Sequence, residues 1–340
     1  MINEDLDLTL PKGRGKEAKT NEDSNGKIKE NEKKEKDVHN VLSKGEFLAD
    51  LDLHTIAREF SKFSVENRTL LVPIGFPQAG KSLLLSSLLY YAIKGNDNLF
   101  RVLIEEGFPY NKGRKTVDEM VRFFESGRLY ETTAIGTLDL IGLRIEPSGS
   151  KRPILNLALL DLAGEDIKSI KRSGNAAFTD KINAVFNGLS VDDSPIIFVL
   201  ITPFIPPIEQ GESIDDAHNR EDALLFDFLN YIDMNQRQIL KNSKYFVIVS
   251  QWDKNPNQDQ KIDDFIRTKR RSVFGYVKDT DVIWGQYSVG KLLVSKINNV
   301  EIQEIVRINY DYPSRFWKKL YQICTNKSLE NETFFKKLFS

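Results

Sequence analysis

The stretch Leu70-Leu-Val-Pro-Ile74, running directly into Gly75-Phe-Pro-Gln-Ala-Gly80-Lys81-Ser82, decides how the rest of the chain is read. Its apolar, β-branched half predicts a strand, and Leu83, Leu84, Leu85, Leu88 and Leu89 beyond it carry the packing pattern of a buried helix. A G-x-x-x-x-G-K-[ST] run between a strand and a helix is the pattern of a phosphate-binding loop. Gly75 and Gly80 let the main chain close around phosphate oxygens. Successive N–H groups across Gln78, Ala79 and Gly80, with the helix N-terminus, then supply positive potential without a side chain. Lys81 is placed to reach the β- and γ-phosphates, and Ser82 to offer its hydroxyl oxygen to magnesium. Pro73 is the one discordant residue, because it removes a donor from a strand expected inside the sheet. A bulge or an early strand end is expected there.

Composition narrows the function classes. With 340 residues and 40% hydrophobic content, the chain can bury a substantial core. A formal net charge of -1 gives no overall basic field for nucleic acid or an anionic membrane. The single cysteine, Cys324, excludes an internal disulfide and a cysteine zinc cluster, and His39, His54 and His218 lie too far apart to show ligand spacing. The acidic start has no signal-peptide pattern, and the longest apolar run, Pro195 to Ile208, is too short and too proline-rich to span a bilayer. A cytoplasmic protein with no membrane span and no nucleic-acid partner is expected.

Residues 1–44 are dense in Lys, Glu, Asp, Asn and Gly, which predicts a disordered charged tail before a single domain over 45–340. Phe47, Leu51, Ile56, Phe60 and Phe63 predict a helix that caps the domain. Thr116-Val-Asp-Glu119 reads as a capping box opening another helix. Leu138 to Ile145 and Ile154 to Asp161 read as a hairpin, which would add one antiparallel edge strand. Further strands are expected over Pro195 to Ile201, Tyr245 to Ser250 and Val282 to Tyr287. The helices expected between the strands run over Phe178 to Leu189, Asp222 to Ile232 and Ile262 to Phe274. This alternation predicts a mostly parallel, three-layer α/β sheet. A second hairpin is expected around Asn298-Asn299, and then a helix from Pro313 that packs Cys324 into the core.

Three later segments extend the phosphate reading. The strand ending at Leu160 delivers Asp161-Leu-Ala-Gly164, a carboxylate for a metal-bound water and a glycine N–H for a γ-phosphate. The strand ending at Val249 delivers Ser250-Gln-Trp-Asp253, and a carboxylate there can accept two hydrogen bonds from guanine that adenine cannot offer. The strand ending at Tyr287 delivers Ser288-Val-Gly290, with main-chain N–H groups for a base carbonyl. All lie at carboxyl ends of predicted strands, the edge where open α/β sheets bind ligands.

In these segments the chain resembles the translation-factor-related, Ras-like P-loop GTPases. The resemblance implies a Ras-like G domain binding GTP or GDP with Mg2+. It assigns Gly75, Gln78, Ala79, Gly80, Lys81 and Ser82 to the phosphates, and Asp161 and Gly164 to the start of switch II. Gln251 and Asp253 would meet the guanine, and Ser288 and Val289 would make the last base contact. Among Thr132, Thr133 and Thr137, Thr133 is taken as the switch I threonine and, with Ser82 and Asp161, as a metal ligand. The hairpin after Gly290 and the segment from Tyr312 to Tyr321 resemble, more narrowly, bacterial "double-GTPase" proteins of conflict or defence systems. That implies a protein effector or a second GTPase as partner. Three positions depart from the family pattern. Ser250-Gln251 stands where Asn or Thr and then Lys are usual, so the cationic stem over the base is missing, and Glu165 stands where many relatives carry Gln. With Lys81, Thr133, Gly164 and Glu165 as the catalytic set, the expectation is a GTPase switch with slow, Mg-dependent hydrolysis. Arg114, Arg122 and Arg128 are candidates for a built-in arginine finger. The rival expectations are a nucleotide-locked scaffold that does not turn over, and a P-loop ATPase or small-molecule kinase.

Overall fold

The apolar run that opens the motif becomes β1 (Arg68–Ile74), buried at every position and central in a seven-stranded sheet. Burial on both faces explains why it reads as continuously apolar rather than alternating. Leu70, Val72 and Ile74 point into one core, and Leu71 into another on the opposite face. In this computed structural model the described residues are 51–329, apart from 97, 108, 111, 129–137, 149–150, 170–175, 191–194, 237–238, 240–242, 258, 281 and 298–299. The predicted tail over 1–44, and with it Phe47, lies outside them.

The strands are β2 (Phe100–Glu105), β3 (Leu138–Pro147), β4 (Leu155–Leu162), β5 (Ile196–Pro203), β6 (Ser243–Ser250) and β7 (Val282–Gln286), in the order β2-β3-β4-β1-β5-β6-β7. β4, β1, β5, β6 and β7 pair in parallel, while β3 runs against both of its neighbours. This is the expected three-layer, mostly parallel α/β sheet. The reversed strand was expected at the edge, but it sits one place in, because β2, unforeseen, pairs along it from Phe100 to Glu105. Pro73 causes no bulge. Pairing of β1 with β4 ends at Leu71, while pairing with β5 runs on through Pro73 to Ile74, so the missing donor faces the side where the ladder has stopped.

One core is covered by α1 (Leu53–Val65), α5 (Ala176–Ser190), α6 (Ile214–Asn235), α7 (Ile262–Lys269) and α8 (Arg271–Val277). The other lies beneath α2 (Lys81–Tyr90), α3 (Arg114–Glu125) and α9 (Asp311–Thr325). α4 (Gly164–Ser169) is a short helix at the carboxyl edge.

Local signals misplaced three helix boundaries. α3 starts at Arg114 with Gly113 as its cap, so Thr116 already lies in the first turn and the expected capping box does not form. α6 begins at Ile214, well before Asp222, because Ser213 and Asp216 close a reciprocal cap: Asp216 N–H donates to Ser213 Oγ at 3.2 Å, and Ser213 N–H to Asp216 Oδ2 at 3.3 Å. The helix expected over Ile262 to Phe274 breaks at Arg270, a fully buried side chain. Its guanidinium donates to Thr202 Oγ1 at 2.6 Å, Pro203 O at 3.2 Å and His218 O at 3.3 Å, which ties the break to the end of β5 and to α6.

The C-terminal hairpin is β8 (Gly290–Ile297) with β9 (Val300–Ile308), antiparallel as expected. Ile305 N–H donates to Gly127 O at 2.9 Å. In α9, Trp317 Nε1 donates to Leu88 O at 2.9 Å and Tyr321 Oη to Pro153 O at 2.7 Å, so this extension is part of the second core. Burial pushes the Cys324 thiol up to about 11, which agrees with a packing role and not with a nucleophile. Among the described residues, no helix is long and apolar enough to cross a membrane.

Candidate functional site

Between β1 and α2 the chain turns through two left-handed residues, Gln78 at φ 66° and Gly80 at φ 87°. At Gly80 this conformation costs nothing because there is no Cβ; at Gln78 the side chain adopts it at a cost of about 1–2 kcal/mol. Left-handed residues interleaved with right-handed ones curl main-chain N–H groups toward one concavity, an arrangement that suits an anion. Two main-chain bonds hold the curl, Ala79 N–H to Phe76 O at 3.0 Å and Leu84 N–H to Gly80 O at 2.9 Å.

Lys81 opens α2 and is buried, with its ammonium donating to the carbonyl of Leu162 at the end of β4. Burial lowers its pKa, and the carboxylates of Asp161, Glu165 and Asp166 pull it back up. The ammonium has thus already lost much of its hydration, and an anion beside it would further stabilise the charged form. Asp161 is buried at the end of β4, opposite Asp139, whose carboxylate meets Lys112 at 3.3 Å.

Gly164 presses on the curled loop. A Cβ there would lie 2.7 Å from Pro77 N, 2.8 Å from the carbonyl carbon of Phe76 and 3.1 Å from Gly75 O. Only a glycine admits so close an approach, so the carboxyl end of β4 and the Gly75–Ser82 loop form one unit. Glu165, next along, is exposed.

From the far side, Ser250 closes on the same loop. Its hydroxyl, buried at the end of β6, donates to Ala79 O at 2.7 Å. Beyond it Gln251 turns left-handed at φ 57°, and Trp252 is buried edge-on against Phe204 (5.4 Å) and Phe265 (6.0 Å). With Trp252 tucked beneath, Asp253 stands at the surface, where its Oδ1 accepts from Ser288 Oγ at 2.7 Å. Trp252 N–H donates to Tyr287 O at 3.1 Å, so the loops after β6 and β7 are joined by main chain as well. Val289 follows, half-buried.

The structure therefore brings together Gly75, Gln78, Ala79, Gly80, Lys81, Ser82, Asp161, Gly164 and Glu165, and beside them Gln251, Asp253, Ser288 and Val289. Thr132, Thr133 and Thr137 lie outside the described residues. Arg114, Arg122 and Arg128 are exposed on α3 and just after it, and no contact among the described residues ties them to the loop. Two contributors were missed. Ser250 was read as a defect in a motif, whereas it fastens the loop. Lys254 was overlooked because it falls just outside that motif, yet its Nζ donates to Gln251 Oε1 at 2.8 Å. The hydroxyl of Ser82 and the carboxylate of Asp161 are hard oxygen donors, a set whose chemistry fits Mg2+.

No protein-family model and no curated protein matches the sequence. Among solved structures, the chain is similar to Toc33 from Arabidopsis thaliana in complex with GDP and Mg2+, at 12% identity, covering 81% of this chain and 93% of that one, with a TM-score of 0.38. A dimerization-deficient mutant of Toc33 gives 12% identity and a TM-score of 0.34, and its complex with Mg2+ and GMPPNP 11% and 0.36, at the same coverage. Likeness at this level carries no functional argument, and the fold described above stands on its own strand order and register.

Proposed function

We propose that the chain is a GTP-binding switch that hydrolyses GTP slowly, with magnesium, and signals its nucleotide state to a protein partner. The observation that carries this reading is the contact of Gly164 with the Gly75–Ser82 main chain, at a distance that leaves no room for a single added carbon. A γ-phosphate seated in that loop would meet the Gly164 N–H and the first turn of α4, so its presence or loss changes the footing of the segment that follows.

Ser82, Asp161 and Thr133 would hold Mg2+, which when bound neutralises charge on the phosphates. Lys81 would leave the Leu162 carbonyl for a phosphate oxygen. Asp253, oriented by Ser288, accepts the two guanine donors, and the Gln251–Lys254 pair supplies the cation that Gln251 alone lacks. Ser288 and Val289 would bound the base on its other side. Glu165 adds negative charge beside Asp161 and Asp166, where a γ-phosphate would bring more, so the attacking water is poorly served and turnover is slow.

A second reading, a nucleotide-locked scaffold, is favoured by the same Glu165. Single-turnover hydrolysis of radiolabelled GTP separates the two. Slow release of phosphate that ceases in Lys81→Ala supports the switch, and stable GTP over many hours supports the scaffold. The narrower reading, a bacterial double-GTPase protein of conflict systems with a second GTPase as partner, rests on the β8–β9 hairpin and the Tyr312 to Tyr321 segment. Co-purification of a second GTPase in the GTP-bound but not the GDP-bound state would support it.

A further inference from the structure

β7 ends the sheet, with β6 on one side and no other strand, among the described residues, on its outer side. Tyr287, just past it, turns its N–H toward Val249 O (2.8 Å) and its C=O toward Trp252 N (3.1 Å), both on the β6 side. Alternate residues of a parallel strand turn their main-chain groups to opposite sides. Gln286 and Trp284 therefore turn theirs outward, toward a groove of about 620 Å³ that wraps the edge.

The two walls of the groove differ. On one face Trp284, tilted against Phe274 with ring centroids 5.6 Å apart, and Ile262 offer an apolar surface. On the other, Gly285 contributes no side chain, so the floor reaches Phe246 and Ile248 beneath α9. Arg315, Lys318 and Lys319 line that wall on neighbouring turns of α9, and the fifteen lining residues include no carboxylate. In a chain of net charge -1 this is a local excess of positive charge beside an open strand edge.

We propose that this edge docks an extended acidic segment of a partner protein, added as an eighth strand. Its alternate side chains face opposite walls. The acidic ones meet Arg315, Lys318 and Lys319, and the apolar ones pack on Trp284 and Ile262. The outward main-chain groups of Trp284 and Gln286 select a peptide over a small anion, because only a second main chain completes the ladder. The proposal is independent of what the nucleotide site binds.

The test uses the full chain and a fluorescein-labelled octapeptide of alternating Asp and Val, read by fluorescence anisotropy. Saturable binding is expected, weakened at least about tenfold in the Arg315→Glu/Lys318→Glu/Lys319→Glu variant. The same loss is expected when alternate amides of the peptide are N-methylated. The triple variant changes exposed or half-exposed positions, and an unaltered melting temperature confirms that it folds. Absence of binding overturns the proposal, as does equal binding of the N-methylated peptide, which would reduce the contact to charge alone. Two further results would also overturn it by naming another occupant: binding that appears only after removal of residues 330–340, or concentration-dependent dimers of the wild type that the triple variant abolishes.

Discussion

A methyl group at Gly164 would sit 2.7 Å from Pro77 N and 2.8 Å from the carbonyl carbon of Phe76, both main-chain atoms with no freedom to swing aside. Gly164→Ala is therefore predicted to displace the phosphate loop and weaken GTP binding by about 1–3 kcal/mol, the usual cost of overpacking, which titration calorimetry would read. Unchanged affinity would mean that Gly164 does not bound the phosphate site. Asp253→Asn keeps an acceptor for the Ser288 hydroxyl but gives up the carboxylate that would accept two donors from guanine in the proposed site. A site that leaves such groups unpaired discriminates by about 10⁴ to 10⁵, so the variant is predicted to lose GTP and gain xanthosine triphosphate. Nucleotide choice that stays with guanine would place the base elsewhere. Individual residues were legible in the sequence where a motif named them, as with Gly75 to Ser82. Ser250 and Lys254 were not, because their roles lie in what they touch: the Ala79 carbonyl for one, the Gln251 amide for the other.

At the scale of elements, the break between α7 and α8 shows tertiary contacts overriding local propensity. Arg270 sits among oxygen acceptors from β5 and α6, and burial lowers its pKa to about 10, with Glu221 and Asp222 raising it. Arg270→Met would leave the acceptors at Thr202, Pro203 and His218 unsatisfied and is predicted to destabilise the fold by about 3–5 kcal/mol in urea denaturation. His218 lies against the same guanidinium, with Lys269 and Asp215 also acting on it, and its pKa falls to about 4, chiefly through burial. The folded protein thus binds this proton less readily than the unfolded chain does. Stability from this group is complete above pH about 6.5 and is lost as pH falls toward about 4. Glu221, buried nearby with its pKa raised, acts in the opposite sense, so the measurement is the difference between wild type and His218→Gln across that window. A constant difference would remove His218 from the account. The sequence could not place this break, since nothing in the local pattern of Ile262 to Phe274 interrupts a helix. β2 was missed for a related reason. Its five residues after Phe100 are partly exposed, and its identity as a strand comes from the ladder with β3. Strongly periodic or doubly buried segments, β1, β5 and β6 among them, were read correctly because burial on both faces writes itself into composition.

Over the whole domain, the sheet divides two cores, and the C-terminal hairpin and helix belong to the second of them. Removing residues from Gly290 onward would expose Phe246 and Leu88 and take away Phe316, Trp317, Leu320 and Tyr321. Such a truncation is predicted to lose cooperative thermal unfolding by circular dichroism; a cooperative melt near that of the full chain would make the extension an accessory. The carboxyl edge of the sheet gathers the Gly75–Ser82 loop, the Asp161 to Gly164 turn and the Asp253–Ser288 pair. Ligand there should stabilise the domain by mass action, about 2.7 kcal/mol at one hundred times Kd. Competitive equilibrium binding of GTP and ATP, with magnesium, to the wild type and to Lys81→Ala decides whether these parts form one guanine-nucleotide site. A preference for GTP by orders of magnitude, lost in the variant, is the expected result. Equal or ATP-favoured binding would contradict it, leaving a phosphate loop without a guanine site.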